Sequence, residues 1–198
     1  GVDTTLAQID AFDAATVGLP GPRSLANSAG VLAWPAARRD WARPGLMLYG
    51  VDPTGHSTLA LRPVMTLGSA VFSERTLAAG EAMGYGGGFV AERPLRVGLV
   101  AMGYGDGYPA RAPTGTPVAV DGNRTRVLGR VSMDMLAVDL TELPGSGIGS
   151  HVELWGSTID VAEVAARAGL LSDELLCNVK RVPLQSVDVA QTLADTGT

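Results

Sequence analysis

Apolar and polar positions near the start of the chain follow first a helical and then a strand-like spacing. Leu6, Ile9 and Phe12 recur at three-residue intervals and predict an amphipathic helix over residues 4–16. A proline- and glycine-rich turn at 20–22 precedes a short buried strand predicted over 23–27 and a second helix over 29–33. The continuous apolar run 45–49 predicts a strand that is covered on both faces, as in a parallel α/β sheet. Such a unit needs neighbouring strands that this chain does not supply.

The pattern changes from Leu61 onward. Short strand-like segments alternate with turn signals, and Asp121-Gly122 between the strand-like segments 118–120 and 125–127 predicts a β-hairpin. Residues 161–168 predict a short helix that Gly169 ends, and Ser172 is predicted to cap another helix that runs to about residue 178. The polar segment 53–57 is the predicted linker. We therefore expect a mainly β chain, with an antiparallel, barrel-like C-terminal domain over 54–198 and a helix-and-strand unit over 1–53.

Composition and charge narrow the classes of function. The formal net charge is −5 and the arginines are scattered, so neither a nucleic-acid partner nor a membrane surface is expected. The single cysteine, Cys177, excludes an internal disulfide framework and is expected in the core. His56 and His151 lack the spacing of metal ligands, so no metal is predicted. Without a signal peptide or a membrane-length apolar run, we expect a cytoplasmic protein that acts on a small molecule.

Two glycine-rich segments each place a tyrosine between glycines, Tyr85 in the first and Tyr104 in the second. Neither segment leads into an amphipathic helix whose N-terminus would hold a phosphate. Flanking glycines allow the backbone to approach another surface closely while one phenol projects and donates or accepts a proton. The alternative is that both rings simply pack at turns, and spacing alone favours it.

Several other positions suit a functional role, and each of them also has a purely structural explanation. Ser28, at a strand-to-helix junction, suits either anion binding or helix capping, and capping is favoured when it is considered alone. Arg43 precedes a predicted buried strand, where it would meet a carboxylate, a ring nitrogen or a structural ion-pair partner. Met133 and Asp134 interrupt two β segments, which indicates either a bulge with an exposed amide or an ordinary irregularity.

Taken in order, seven segments resemble the signature of alanine racemases: LANSAG at 25–30, ARPGLMLYG at 42–50, LRPVM at 61–65, GYG at 84–86, GYGDGYP at 103–109, GRVSMD at 129–134 and RVP at 181–183. The resemblance spans nearly the whole chain. It implies a fold-type III enzyme that uses pyridoxal 5'-phosphate, in which an N-terminal (β/α)8 barrel holds the cofactor. The C-terminal β domain would complete the active site of the partner subunit in a homodimer. Residues 1–53 would then be the last part of that barrel.

The resemblance also implies roles for individual residues. Tyr85 matches the phenolic base that works on one face of the substrate α-carbon, and it needs neighbours that stabilise its phenolate. Ser28 and the backbone amides of Gly45 and Leu46 match the groups that bind the cofactor phosphate. Arg43 matches the group that meets the pyridine nitrogen.

Further matches concern the substrate and the missing second base. The amide of Met133 matches a contact to the substrate carboxylate, and Tyr104 and Asp134 match residues of the substrate entrance. The family's Schiff-base lysine belongs to the first barrel strand, whereas the one lysine here, Lys180, lies near the end. Because α-proton removal needs an imine of the cofactor, we expect this polypeptide alone not to racemise alanine.

The implied function is the interconversion of L-alanine and D-alanine, a peptidoglycan precursor, by a two-base mechanism. Tyr85 would be one base and the lysine of the absent N-terminal half the other. Two alternatives stay open. One is a fragment of a broader-specificity amino-acid racemase on the same scaffold, and the other is a non-catalytic module that serves dimerisation.

Overall fold

The computed structural model describes residues 2–56 and 58–187. Its N-terminal elements are α1 (Val2–Thr16), β1 (Ser24–Asn27), α2 (Ser28–Ala33), a 3-10 turn (Pro35–Ala37), β2 (Trp41–Arg43) and a 3-10 helix (Leu46–Tyr49). The two strands pair in parallel. Both predicted helices and the first strand are therefore confirmed.

The rest of the described chain is mainly antiparallel β structure. Its strands are β3 (Leu67–Leu77), β4 (Ala82–Met83), β5 (Phe89–Val90), β6 (Leu95–Val100), β7 (Pro117–Val120), β8 (Asn123–Leu128), β9 (Leu136–Asp139) and β10 (His151–Trp155), followed by α3 (Val161–Ala168) and α4 (Ser172–Asn178). Six of them close into a barrel in the order β10-β3-β6-β9-β8-β7, and β4 pairs with β5 in a separate hairpin. This architecture confirms the predicted barrel-like antiparallel domain.

The barrel is filled by short branched side chains from all six strands. Such residues suit a pleated, half-buried surface. The interior members include Leu67, Val71, Val100, Val118, Val120, Val127, Val138, Val152 and Leu154. Tyr108 and Trp155 stack within the same cluster, with ring centroids 6.1 Å apart and planes 15° apart. A smaller cluster around Leu77 and Leu95 includes Met83 and Phe89, so it anchors the β4–β5 hairpin to the barrel.

The Asp121-Gly122 turn joins β7 to β8 as predicted. Its two residues have φ values of 48° and 78°, and positive φ at both central residues is what a type I′ hairpin turn requires. The Asp121 carboxylate accepts hydrogen bonds from the hydroxyls of Ser146 and Ser150 and from the amide of His151. Hydrogen bonds from Ser150 and Ser146 hold the pKa of Asp121 below its ordinary value. The turn is therefore tied to the loop that enters β10.

The prediction of a strand over residues 45–49 is wrong. This run forms the 3-10 helix instead, and Gly50 ends it in the left-handed conformation at a φ of 86°. An apolar run of this length suits either a strand or a helix, and the local turn geometry decided between them. The buried parallel strand is also less covered than predicted, because Ala26 alone is buried in β1 and all of β2 is exposed.

Two details near the C-terminus differ from prediction and two agree. The α3 bounds are those predicted, with Asp160 as its side-chain cap and Gly169 ending it. Ser172 does not cap α4: Leu171 holds the N-cap position without a side-chain hydrogen bond. Cys177 is exposed rather than part of the core. The reason is that α4 buries the face that carries Leu175, and Cys177 lies on another face.

Candidate active site

The carboxyl ends of β1 and β2 lie side by side, because the strands are parallel and Asn27 is in register with Arg43. The chain enters α2 directly after β1, and the Asn27 side chain accepts the Gly30 amide at 3.0 Å. Asn27 is therefore the cap, and Ser28 is free of the capping role that its position favoured. Ser28 is 5% exposed, and its hydroxyl oxygen accepts the Met47 amide at 3.2 Å.

The same edge presents two backbone amides that donate to no acceptor among the described residues. Gly45 is the N-cap of the 3-10 helix Leu46–Tyr49 and Leu46 is its first residue, where the first amides have no acceptor within the helix. A Cβ built on Gly45 would meet no atom within 4 Å, so the backbone at Gly45 is not crowded by the other described residues. Two helix N-termini and the Ser28 hydroxyl thus converge at the edge of a parallel sheet, an arrangement that suits an anion such as a phosphate.

Arg43, the last residue of β2, lies beside this edge. Its Nη1 donates to the hydroxyl oxygen of Ser24 at 2.6 Å, and its Nη2 donates to the carbonyl oxygen of Leu25 at 3.4 Å. Neither partner is an acid, and no carboxylate in the described part of the chain pairs with this guanidinium. The structural ion pair that remained an alternative is therefore not formed, and the other N–H groups are available to a ligand.

Tyr85 lies at the tip of the β4–β5 hairpin. Gly84, Gly86 and Gly87 have φ values of 82°, 66° and 64°, conformations that side chains rarely adopt. They turn the backbone sharply on both sides of Tyr85. This residue is 75% exposed. Phe89, at the base of the hairpin, packs against the small cluster of the barrel. The ring of Tyr85 does not pack at its turn; it projects from a short anchored hairpin.

Tyr104 and Met133 lie on two loops that are joined through their backbones. The amide of Tyr104 donates to the carbonyl of Ser132 at 3.0 Å, and that of Gly105 donates to the carbonyl of Met133 at 2.8 Å. A Cβ on Gly103 would lie 2.2 Å from the Met133 oxygen, so glycine is required for this approach. Both side chains are exposed. The segment 129–135 is a connection between β8 and β9 rather than a bulge within a strand.

The predicted residues thus fall into three groups. Ser28, Arg43, Gly45 and Leu46 share the edge of the parallel strands, Tyr104, Met133 and Asp134 share the joined loops, and Tyr85 stands alone on its hairpin. No group of three or more potential metal ligands occurs among residues 2–56 and 58–187. In the same part of the chain, no helix has the length and hydropathy needed to cross a membrane.

Two family models match the chain, one described as the alanine racemase N-terminal domain over residues 2–53 and one as the C-terminal domain over residues 64–186. The chain belongs to the alanine racemase family. Among curated relatives, the alanine racemase of Azoarcus sp. is 63% identical over 181 residues, which cover 91% of this chain and 51% of that protein. The catabolic alanine racemase of Pseudomonas putida is 56% identical over 184 residues, with 91% and 52% covered.

Solved structures agree with this assignment. The biosynthetic alanine racemase of Pseudomonas aeruginosa superposes with a TM-score of 0.86 at 50% identity and covers 91% of this chain and 52% of that one. An alanine racemase from Bartonella henselae, described with covalently bound pyridoxal phosphate, gives a TM-score of 0.82 at 30% identity, with 90% and 50% covered. The resemblance to this family of amino-acid isomerases is confirmed. The chain spans about half the length of the curated alanine racemases that it matches.

Sequence reasoning missed three residues around the alanine racemase motifs. Ser24 accepts a hydrogen bond from Arg43, yet it lies one position before the LANSAG motif. Asp106 accepts the Gly103 amide at 2.9 Å and so shapes the loop of Tyr104, which the Asp-Gly turn signal within its motif already suggested. Arg181 approaches both Asp106 and Asp134, and no local signal predicts a contact over that sequence separation.

Proposed function

We propose that this chain supplies the last part of the cofactor-binding barrel, up to Pro53, and the β domain of an alanine racemase. The enzyme would be a cytoplasmic homodimer that interconverts L- and D-alanine. One observation carries the proposal: two helix N-termini converge on the buried Ser28 at the carboxyl edge of β1 and β2. Family membership supports it, as does the covalently bound pyridoxal phosphate of the Bartonella henselae relative.

The residues at this edge fit pyridoxal 5'-phosphate. Ser28 and the amides of Gly45 and Leu46 would hold the phosphate, since they offer donors to an anion. Arg43 would contact the pyridine nitrogen, and it would donate a hydrogen bond while keeping its own protons. When bound, the cofactor supplies the electron sink that makes the α-proton of an amino acid removable.

The β domain would supply the groups that meet the substrate. Tyr85 would accept the α-proton on one face or return it through its phenolic oxygen, and its exposed position suits work across a subunit interface. The Met133 amide, which donates to no acceptor among the described residues, would bind the substrate carboxylate. Tyr104 and Asp134 would line the entrance. The one lysine, Lys180, is exposed and follows α4, so we propose that this chain alone does not racemise alanine.

A chimera tests the proposal directly. The part of the Azoarcus alanine racemase that precedes the matched region would be joined ahead of residue 2 of this chain. With pyridoxal phosphate, the chimera should interconvert L- and D-alanine, and this chain alone should not. A folded, dimeric chimera without activity would support the non-catalytic alternative, and equal turnover of other amino acids would support a broader-specificity racemase.

The role of Tyr85 is tested in the same chimera by Tyr85→Phe. The α-proton exchange of the two alanine enantiomers would be followed in deuterated water. We expect exchange on one face to fall by roughly a hundredfold or more, the usual contribution of a positioned acid or base, and the other face to lose far less. Tyr104→Phe is the matched control, because it removes a phenol from the entrance and not the base. Equal losses on both faces in Tyr85→Phe would contradict the assignment.

A further inference from the structure

We propose that Arg181 is a positioning residue that fixes the loop carrying Tyr104 against the loop carrying Met133 and Asp134. The proposal deepens the proposed function and rests on it, because these loops form the substrate entrance only if the chain is part of an alanine racemase. Arg181 itself would touch neither substrate nor cofactor. It would act through the two loops.

The guanidinium of Arg181 lies between two carboxylates on different loops. Its Nε is 3.9 Å from Oδ1 of Asp106, and its Nη2 is 3.6 Å from Oδ1 of Asp134. No other cation in the described part of the chain pairs with either aspartate. Because the guanidinium is planar and carries donors on several sides, it can face two acids at once, which a lysine ammonium does less well.

The two loops are anchored at their ends by Met102, Tyr108 and Val131 in the core, whereas Tyr104, Met133 and Asp134 between these anchors are exposed. The Tyr104 loop consists largely of glycine, and its contact with the Met133 loop includes two backbone hydrogen bonds. A Cβ on Gly105 would lie 2.5 Å from Nη1 of Arg181, so the guanidinium rests directly on the backbone of the loop. A Cβ on Gly107 would lie 2.5 Å from the carbonyl oxygen of Asn178, so the segment before Arg181 also lies against it.

The consequence concerns substrate binding more than chemistry. Tyr85 lies on the β4–β5 hairpin, which packs against the Leu77 and Leu95 cluster and beside Gly129, at the start of the 129–135 segment. The ion pairs of Arg181 with Asp106 and Asp134 do not involve this hairpin. Loss of the guanidinium would therefore loosen the Tyr104 and Met133 loops and leave the base in place. A residue of this kind changes KM while kcat is largely kept.

The first test uses this chain without any activity measurement. Amide hydrogen exchange would be compared among the unchanged chain, Arg181→Gln, Arg181→Lys and Arg167→Gln. Arg167 is the matched control, an exposed arginine in the last turn of α3 that pairs with no acid among the described residues. We expect Arg181→Gln to reduce protection of the Tyr104 and Gly105 amides by about tenfold, Arg181→Lys to reduce it less, and Arg167→Gln to have no effect.

The second test uses the chimera with alanine as substrate. Arg181→Gln should raise KM by about fivefold and change kcat by less than about twofold, with partial recovery in Arg181→Lys. Unchanged exchange, or an equal change in Arg167→Gln, would overturn the proposal, as would a fall in kcat without a change in KM. If the unsubstituted chimera is inactive, the proposed function fails, and the exchange experiment still decides whether Arg181 holds the loops.

Discussion

Ser28 and Met47 belong to different turns of the chain, and the Ser28 hydroxyl oxygen accepts the Met47 amide at 3.2 Å. This contact aligns the N-terminus of α2 with that of the 3-10 helix Leu46–Tyr49. In the chimera, Ser28→Ala should weaken pyridoxal phosphate binding about tenfold, because it removes one donor to the phosphate and the alignment of the others. Titration of the apo-chimera by absorbance measures this. Ser69→Ala, which removes a hydroxyl bonded to the carbonyl of Ala101, should leave the affinity unchanged.

Gly103→Ala should destabilise the chain by about 1–3 kcal/mol. The new Cβ would lie 2.2 Å from the carbonyl oxygen of Met133, so one of the two backbones must move. Urea unfolding of the chain measures the change in the free energy of unfolding. Gly145→Ala is the control, since a Cβ there meets no atom within 4 Å, and it should change stability by less than about 0.5 kcal/mol. Similar losses in the two variants would contradict the close approach at Gly103.

The lowered pKa of Asp121 predicts how the folding stability changes at acidic pH. Hydrogen bonds from Ser150 and Ser146 lower the pKa of the folded carboxyl, so its contribution is present above the unfolded value. That contribution should be lost as the pH falls below about 4 through the folded value. Asp121→Asn keeps the hairpin turn, because asparagine also adopts a positive φ. Thermal unfolding between about pH 6 and pH 2 should show a shallower acid loss in the variant.

The burial of Tyr108 predicts how the folding stability changes at alkaline pH. Burial raises the pKa of its phenol, so the contribution of the neutral group is fully present below about pH 10 and is lost as the pH rises further. Its hydroxyl has no hydrogen-bond partner among the described residues. Tyr108→Phe should therefore be neutral or stabilising by up to about 1 kcal/mol at neutral pH, and it should weaken the alkaline loss.

Local sequence signals predicted the elements whose geometry depends on neighbouring residues. Asp121-Gly122 predicted its hairpin because aspartate and glycine readily adopt the positive φ values of a type I′ turn, and Gly169 predicted the end of α3 because glycine adopts a positive φ after a helix. The run 45–49 misled because a short apolar stretch suits a strand or a helix equally. Which side chains are buried was harder to predict than which elements form. Cys177 lies in an apolar stretch, yet the face that α4 turns to the barrel depends on contacts far away in sequence.

The candidate site also has features that the sequence predicted and features that only the fold decided. The ordered motifs were sufficient to place the chain in the alanine racemase family and to name Tyr85, Ser28 and Arg43 as candidates, because each chemistry needs particular residue types in a particular order. The partners of those residues came from the fold: Ser24 for Arg43, Met47 for Ser28, and Arg181 for Asp106 and Asp134. Hydrogen bonds and ion pairs act over a few ångströms in space, and sequence order records only the chain between the groups.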